Sequence, residues 1–341
     1  MLRLPKFELA RPTTLAEAIR SLAEGGPDAL VIAGGTDLVP NMKHELFTPR
    51  RLVSLAHIEE LRGVHEGERG WLSIGAMTSL ADVASNELVR ARYPALAQAT
   101  GLVAGPQLRT MGTLGGNVML DTRCQWYNQT YFWRQALGFC LKKDGALCHV
   151  VEGGSKCVAA ASNDSAPALI TLAATLEIEG PRGRRIVPID DFWLADGVYN
   201  KRLEPGEILA RIALPPTAAG HRGAYGKLRD RGSIDFPLLG VAVRIDVDAH
   251  QAVTSADVVL TALQARPLRI KRASETLAGT IVGSREFESA VVEVAAQAFK
   301  QCHPMPNIPG DADYRREMVP VYVRRTLVAA AARGGPVHVD G

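Results

Sequence analysis

Four of the five cysteines, Cys124, Cys140, Cys148 and Cys157, fall inside one window of 34 residues, and only Cys302 lies elsewhere. Thiolates are soft ligands for iron–sulfur clusters or zinc, and either takes four of them. The spacing C-x15-C-x7-C-x8-C lacks both the close pairs of zinc knuckles and the ferredoxin runs. Spacing alone leaves three readings open: an iron–sulfur cluster, a zinc ion, or thiols that bind nothing. Trp126, Tyr127, Tyr131, Phe132, Trp133 and Phe139 share the window. Such rings would help set a cluster's potential by burying it, and would equally form the small core of an inserted subdomain. His149 adjoins Cys148, but four cysteines already complete a ligand set. Cys302 reads as a buried structural thiol.

Two glycine pairs add a second chemistry. Ala33-Gly34-Gly35-Thr36-Asp37 follows an apolar run, and Thr113-Leu114-Gly115-Gly116-Asn117 precedes the cysteine window. Glycines in such turns let backbone N–H groups approach an anion such as a pyrophosphate. Thr36, Thr113 and Asn117 can add side-chain hydrogen bonds. Neither turn is a Walker loop or a G-x-G-x-x-G fingerprint, and each alone is the pattern of a plain tight turn.

The elements that must position these residues alternate at first. Thr14 to Glu17 is a capping-box pattern opening a helix that Gly25-Gly26 would stop. Ala29 to Ala33, Arg51 to Leu55 and Trp71 to Ala76 read as strands, and Ser79 to Val89 and Tyr93 to Leu102 as helices. After a proline-rich linker at Pro215 to Gly220, strands are predicted over Gly223 to Arg229, Pro237 to Val247 and Val253 to Leu263. Helices follow over Ile270 to Leu277, Glu286 to Cys302 and Tyr314 to Ala332. Strands first and helices afterwards predict a separate α+β domain. The tail from 334 to 341 is expected to fray.

At 341 residues and a net charge of +3, the chain suits two or three domains and gives no sign of a nucleic-acid or membrane-surface partner. No apolar run approaches a membrane span, and the opening M-L-R-L-P-K-F-E-L carries no signal core. The expected location is the cytoplasm.

The segments Ile32 to Lys43, Ile74 to Val83, Leu108 to Val118, Ser162 to Leu169 and Arg222 to Phe236, in this order, resemble the FAD-binding medium subunits of the xanthine dehydrogenase/carbon monoxide dehydrogenase family of molybdenum hydroxylases. The likeness covers nearly the whole chain. It implies an α+β protein: an FAD-binding part of two α/β subdomains (PCMH-like), residues 1–57 and 58–217, and a C-terminal antiparallel sheet-and-helix domain, residues 218–330. It places Ile32, Ala33, Gly34, Gly35, Thr36, Asp37 and Leu38 on one side of the FAD pyrophosphate. Thr113, Gly115, Gly116 and Asn117 lie on the other. Val103 would line the flavin pocket, Asp164 would meet the ribityl chain or ring, and Lys227 would lie near the flavin. No catalytic residue is expected here, because the substrate site belongs to a partner.

The chain departs from the family between Asn117 and Asp164, 47 residues apart and far longer than in most members. This insert, about residues 120–160, resembles that of the β subunits of 4-hydroxybenzoyl-CoA reductases. By that resemblance Cys124, Cys140, Cys148 and Cys157 hold a [4Fe–4S] cluster. The chain would then relay electrons from reduced ferredoxin through cluster and FAD to partner centres, for reductive dehydroxylation to benzoyl-CoA. The implied partners are a molybdopterin large subunit and a small subunit with two [2Fe–2S] centres, assembled as a dimer of heterotrimers. Arg134, Lys142 and Lys143 are expected on the insert surface, either as a plain solvated face or as a docking patch for acidic ferredoxin. The alternatives are the FAD subunit of another molybdenum hydroxylase (xanthine, aldehyde or CO dehydrogenase type), a self-sufficient flavoprotein, and a zinc-stapled or redox-sensing binding module.

Overall fold

Thr14 opens the first helix, Leu15–Gly25, with the expected capping box: its hydroxyl accepts the Glu17 N–H, and the Glu17 carboxylate accepts the Thr14 N–H. In this computed structural model, which describes residues 2–333 and residue 337, the helix buries Leu15, Ala18 and Leu22 against a small core with Ala29 and Val53. Those last two belong to a parallel three-stranded sheet of β1 (Glu8–Ala10), β2 (Ala29–Ile32) and β3 (Arg51–Ser54), in the order β1-β3-β2. The short strand β1 escaped the sequence reading because it offers only three residues, two of them exposed. The tail from 334 to 341 lies outside the described residues, Val337 excepted.

A second sheet comprises β4 (Val64–Glu66), β5 (Leu72–Gly75), β6 (Thr175–Gly180), β7 (Gly183–Pro188) and β8 (Ile208–Leu214). All its pairings are antiparallel, in the order β4-β5-β8-β6-β7. Between β5 and β6 the chain makes a long excursion that carries the second glycine turn, the cysteine insert and several helices. The single helix predicted over Ser79 to Val89 is two, Leu80–Ser85 and Glu87–Arg92. Asn86 breaks it by adopting an extended conformation and accepting the Val89 N–H at 3.1 Å, the behaviour that favours Asn at caps over helix interiors.

The third sheet is antiparallel, β9 (His221–Leu228), β10 (Leu239–Val247), β11 (Val253–Thr261) and β12 (Leu268–Arg269), in the order β12-β11-β10-β9. The helices Arg285–Gln301 and Ala312–Ala331 join the core on one side of it. Tyr225, Ala242 and Val259 reach from this sheet into the core built around the second sheet. Strand β10 is therefore covered on both faces, and every residue but Arg244 is buried. Its sequence accordingly runs apolar almost without alternation. Cys302 caps the helix Arg285–Gln301, is fully buried, and its thiol faces the Phe299 carbonyl at 3.4 Å. Among the described residues no helix is long and apolar enough to cross a membrane.

The capping box gives the first prediction. Thr14→Ala leaves the Glu17 N–H without its acceptor and should cost about 1 kcal/mol in urea unfolding; an unchanged midpoint would show that the box contributes nothing.

Candidate functional site

The structure brings the two glycine motifs into contact. A Cβ built on Gly34 would lie 1.8 Å from the Met111 carbonyl oxygen, so only glycine lets the two backbones meet there. One built on Gly112 would lie 3.4 Å from the Thr36 hydroxyl, and one on Gly116 3.9 Å from the Ala33 methyl. Residues 33–36 thus face residues 111–116. The second motif is not a free turn. Thr113 caps the short helix Leu114–Val118, its hydroxyl accepting the Gly116 N–H at 3.0 Å. A Cβ on Gly115 would strike Ala76 at 2.6 Å, which seats this helix at the end of β5. The Asn117 carboxamide oxygen accepts both the Ser165 N–H at 3.0 Å and its hydroxyl at 2.6 Å. What remains for a ligand is the Thr113 O–H and the Asn117 NH2.

Ile32 ends β2, and its carbonyl accepts the Leu55 N–H at 3.0 Å. Leu38 begins the helix Leu38–Lys43. Asp37 precedes it without capping it, because its carboxylate faces the other way, toward Arg123 at 2.8 Å and the Asn41 amide at 3.0 Å. Burial pushes the Asp37 carboxyl up, and Arg123 opposes the shift. The Arg123 guanidinium also lies over the Phe236 ring, 3.9 Å from its centroid. Sequence reasoning missed Arg123. Nothing in its local pattern marks it, and its role appears only when three distant segments converge.

The next residue is Cys124. With Cys140, Cys148 and Cys157 it lines one pocket, completed by Trp126, Tyr127, Leu141, Lys142, His149, Val150, Val158 and Ala159. Three of the four thiols are buried. Leu46 from the first subdomain belongs to the same apolar cluster. The Val151 N–H points at the Cys148 sulfur at 3.4 Å and the Ala159 N–H at the Cys157 sulfur at 3.5 Å, and the second favours the Cys157 thiolate. Burial acts the other way, pushing Cys124 up to about 11 and raising Cys157, so any metal must displace protons to bind. The His149 Nε2 is engaged by the Phe139 carbonyl at 2.6 Å and is not directed at the thiols. Among the described residues no group of three or more His, Cys, Asp or Glu is arranged to hold a metal ion.

Arg134 and Lys142 form neither the solvated face nor the docking patch that the sequence offered, because both are enclosed. Arg134 is 2 % exposed and is turned inward, donating to the carbonyls of Gln129, His44 and Glu45 with Asp144 at 3.6 Å. Lys142 is equally enclosed, bonded to Asp121 and Thr122. Only Lys143 stays partly open. Arg134 ties the insert to residues 44–45 of the body of the protein, and Lys142 ties two parts of the insert to each other. The aromatics divide as well: Trp126 and Tyr127 line the pocket, whereas Phe132 is 81 % exposed.

Asp164 and Lys227 meet as a fully buried ion pair. The Lys227 ammonium lies 3.1 and 3.2 Å from the two carboxylate oxygens and also donates to the carbonyls of Leu102 at 3.0 Å and Asp235 at 3.1 Å. The Tyr225 hydroxyl donates to Asp164 at 2.8 Å. Burial pushes the Asp164 carboxyl up while Lys227 pulls it down, and burial raises the Tyr225 phenol strongly. Val103 follows the Leu102 acceptor, in the link between helices Pro94–Gly101 and Pro106–Met111, and its own carbonyl accepts from Arg109 at 2.8 Å. The pair therefore ties the Val103 segment to the loop between β9 and β10. Lys227→Met strands a buried carboxylate and should cost about 3–5 kcal/mol in denaturant unfolding, whereas adding Asp164→Leu should recover most of it. Equal stability of single and double variants would contradict the pairing.

Residues 5–217 match the family described as the FAD binding domain in molybdopterin dehydrogenase, and residues 223–330 the carbon monoxide dehydrogenase flavoprotein C-terminal domain. The carbon monoxide dehydrogenase medium chain of Hydrogenophaga pseudoflava is 34 % identical over 330 residues, covering 96 % of this chain and 98 % of that one. An aldehyde oxidoreductase FAD-binding subunit of Escherichia coli is 35 % identical over 280 residues, covering 80 % and 86 %. The solved carbon monoxide dehydrogenase of H. pseudoflava, in a form lacking the Mo-pyranopterin moiety, superposes with a TM-score of 0.79 at 32 % identity, covering 97 % of this chain and 99 % of that one. With two facing glycine motifs in the first part and an antiparallel sheet backed by helices in the second, this chain belongs to the family of FAD-binding medium subunits of molybdenum hydroxylases.

Proposed function

We propose that this oxidoreductase subunit carries a [4Fe–4S] cluster in its insert beside the FAD of the family fold, and transfers electrons within a multi-subunit molybdenum hydroxylase. The observation that carries this reading is the convergence of Cys124, Cys140, Cys148 and Cys157 on one pocket, joined to the first glycine turn through Arg123 and Asp37. The donor set fits: four sulfurs, two of them facing backbone N–H groups, with the neighbouring imidazole engaged elsewhere. A single tetrahedral ion would need its ligands drawn together, whereas a cluster, being larger, is met by sulfurs spread around a pocket. When bound, a [4Fe–4S] group supplies one-electron capacity at low potential and FAD links one- and two-electron carriers.

The chain's own residues bind and enclose these groups. Ile32 to Leu38 and Thr113 to Asn117 offer the two backbone walls for the pyrophosphate, with Val103 an apolar wall for the flavin. Asp164 and Lys227, spent on each other and on carbonyls, serve by fixing the segments that form that wall. The division at 1–57, 58–217 (insert about 120–160) and 218–330 is part of the proposal. It is supported by three sheets that fall within 8–54, 64–214 and 221–269.

The family is named for molybdopterin dehydrogenases and the relatives are medium chains or FAD-binding subunits. That supports assembly with further subunits, and the proposal adds a molybdopterin large subunit, a small subunit with two [2Fe–2S] centres, a dimer of heterotrimers and a cytoplasmic location. The relatives' names, carbon monoxide, aldehyde and xanthine enzymes, favour the broad assignment. The narrower one, the β-type subunit of an anaerobic 4-hydroxybenzoyl-CoA reductase fed by ferredoxin, is carried by the insert alone.

Purified without oxygen, the chain should show a flavin absorption band over a broad shoulder bleached by dithionite, with about four irons per chain. Ala at each of the four cysteines should remove iron and keep FAD; zinc without iron in the wild type would overturn the reading. Failure of the fully loaded complex to convert 4-hydroxybenzoyl-CoA to benzoyl-CoA would remove the narrower assignment only.

A further inference from the structure

We infer that Lys142, paired with Asp121, sets the reduction potential of the group held by the four thiols. This rests on the cluster proposed above. Lys142 is itself part of the pocket wall that Cys124, Cys140, Cys148 and Cys157 form. Its side chain is 5 % exposed. The ammonium spends its three protons on the Asp121 carboxylate at 2.9 Å, the Thr122 carbonyl at 2.9 Å and the Thr122 hydroxyl at 2.5 Å. It also lies 4.4 Å from the centroid of the Tyr127 ring, another pocket wall.

A lysine held this way cannot swing out to water, so its charge is fixed beside the sulfurs. Its field acts on the four sulfurs with which it shares that wall. A buried ammonium with one carboxylate partner adds little stability by itself, because desolvation offsets the attraction. The placement becomes favourable when the pocket turns anionic. Four thiolates around a [4Fe–4S] core leave a net negative charge, which grows by one when the core gains an electron. The nearby cation therefore favours the reduced form and raises the potential, and Asp121 works in the opposite sense. The two charges form a pair of opposed controls on one centre.

The test uses the complete chain, loaded anaerobically with iron and sulfide, in four forms: wild type, Lys142→Met, Lys142→Arg and Asp121→Asn. Each is titrated with dithionite, the electron donor, and the cluster is followed by electron paramagnetic resonance and the flavin by absorbance. Lys142→Met should lower the cluster midpoint by at least a tenfold change in the reduction equilibrium, about 59 mV for one electron. Asp121→Asn should raise it, and Lys142→Arg should stay near the wild type. The flavin midpoint serves as the internal reference. A purely structural role would not move the two neutralised variants in opposite directions. Equal cluster midpoints in all iron-loaded forms would overturn the inference and leave the cluster intact. A wild type that takes up no iron would instead remove the cluster reading and this inference together. Should Lys142→Met fail to load, the rise in Asp121→Asn against an unchanged Lys142→Arg still decides.

Discussion

Between the cysteine insert and the first glycine turn lies one ion pair, Arg123 to Asp37 at 2.8 Å, both side chains largely enclosed. Arg123 is the residue before Cys124, and Asp37 the residue before the helix Leu38–Lys43. The same guanidinium lies over Phe236 from the loop between β9 and β10. One side chain thus fixes the relation of the thiol pocket, the first glycine turn and the C-terminal domain. An exposed pair would contribute little. Here the partners are half-buried, and the stacking on Phe236 adds to the contact.

The insert is secured a second time by Arg134. Its donors end on the carbonyls of His44 and Glu45, just past the helix that the glycine turn begins. Insert and turn therefore share a support at both ends of one short helix. Elsewhere the buried charges follow one rule, that a charge withdrawn from water must find its counterpart or several carbonyls. Asp164 with Lys227 and Asp121 with Lys142 obey it, and each joins segments remote in sequence. These pairs specify how the parts sit more than they add to stability.

Much of this was readable from the residues. The capping box at Thr14, the strands β2, β3 and β5, and the strands and long helices of the C-terminal domain all follow from local pattern, because propensity and burial agree there. The crowding of the four cysteines matches their convergence on one pocket. What stayed hidden depends on non-local partners. Strand β8 owes its existence to pairing between β5 and β6, which lie far from it in the chain. Helix 79–89 broke at Asn86 because a side-chain cap outcompeted the helix interior. Arg134 and Lys142 looked like surface cations, since sequence gives no sign of a carbonyl or carboxylate waiting at a distance. Asp164 and Lys227 were read separately, as flavin contacts, and their mutual contact needed the fold.

Native mass spectrometry of the anaerobically purified wild-type chain tests the central claim most directly. The account predicts one species heavier than the polypeptide by one FAD plus four irons and four sulfides. A species carrying FAD with a single zinc, or with bare thiols in the pocket, would contradict it.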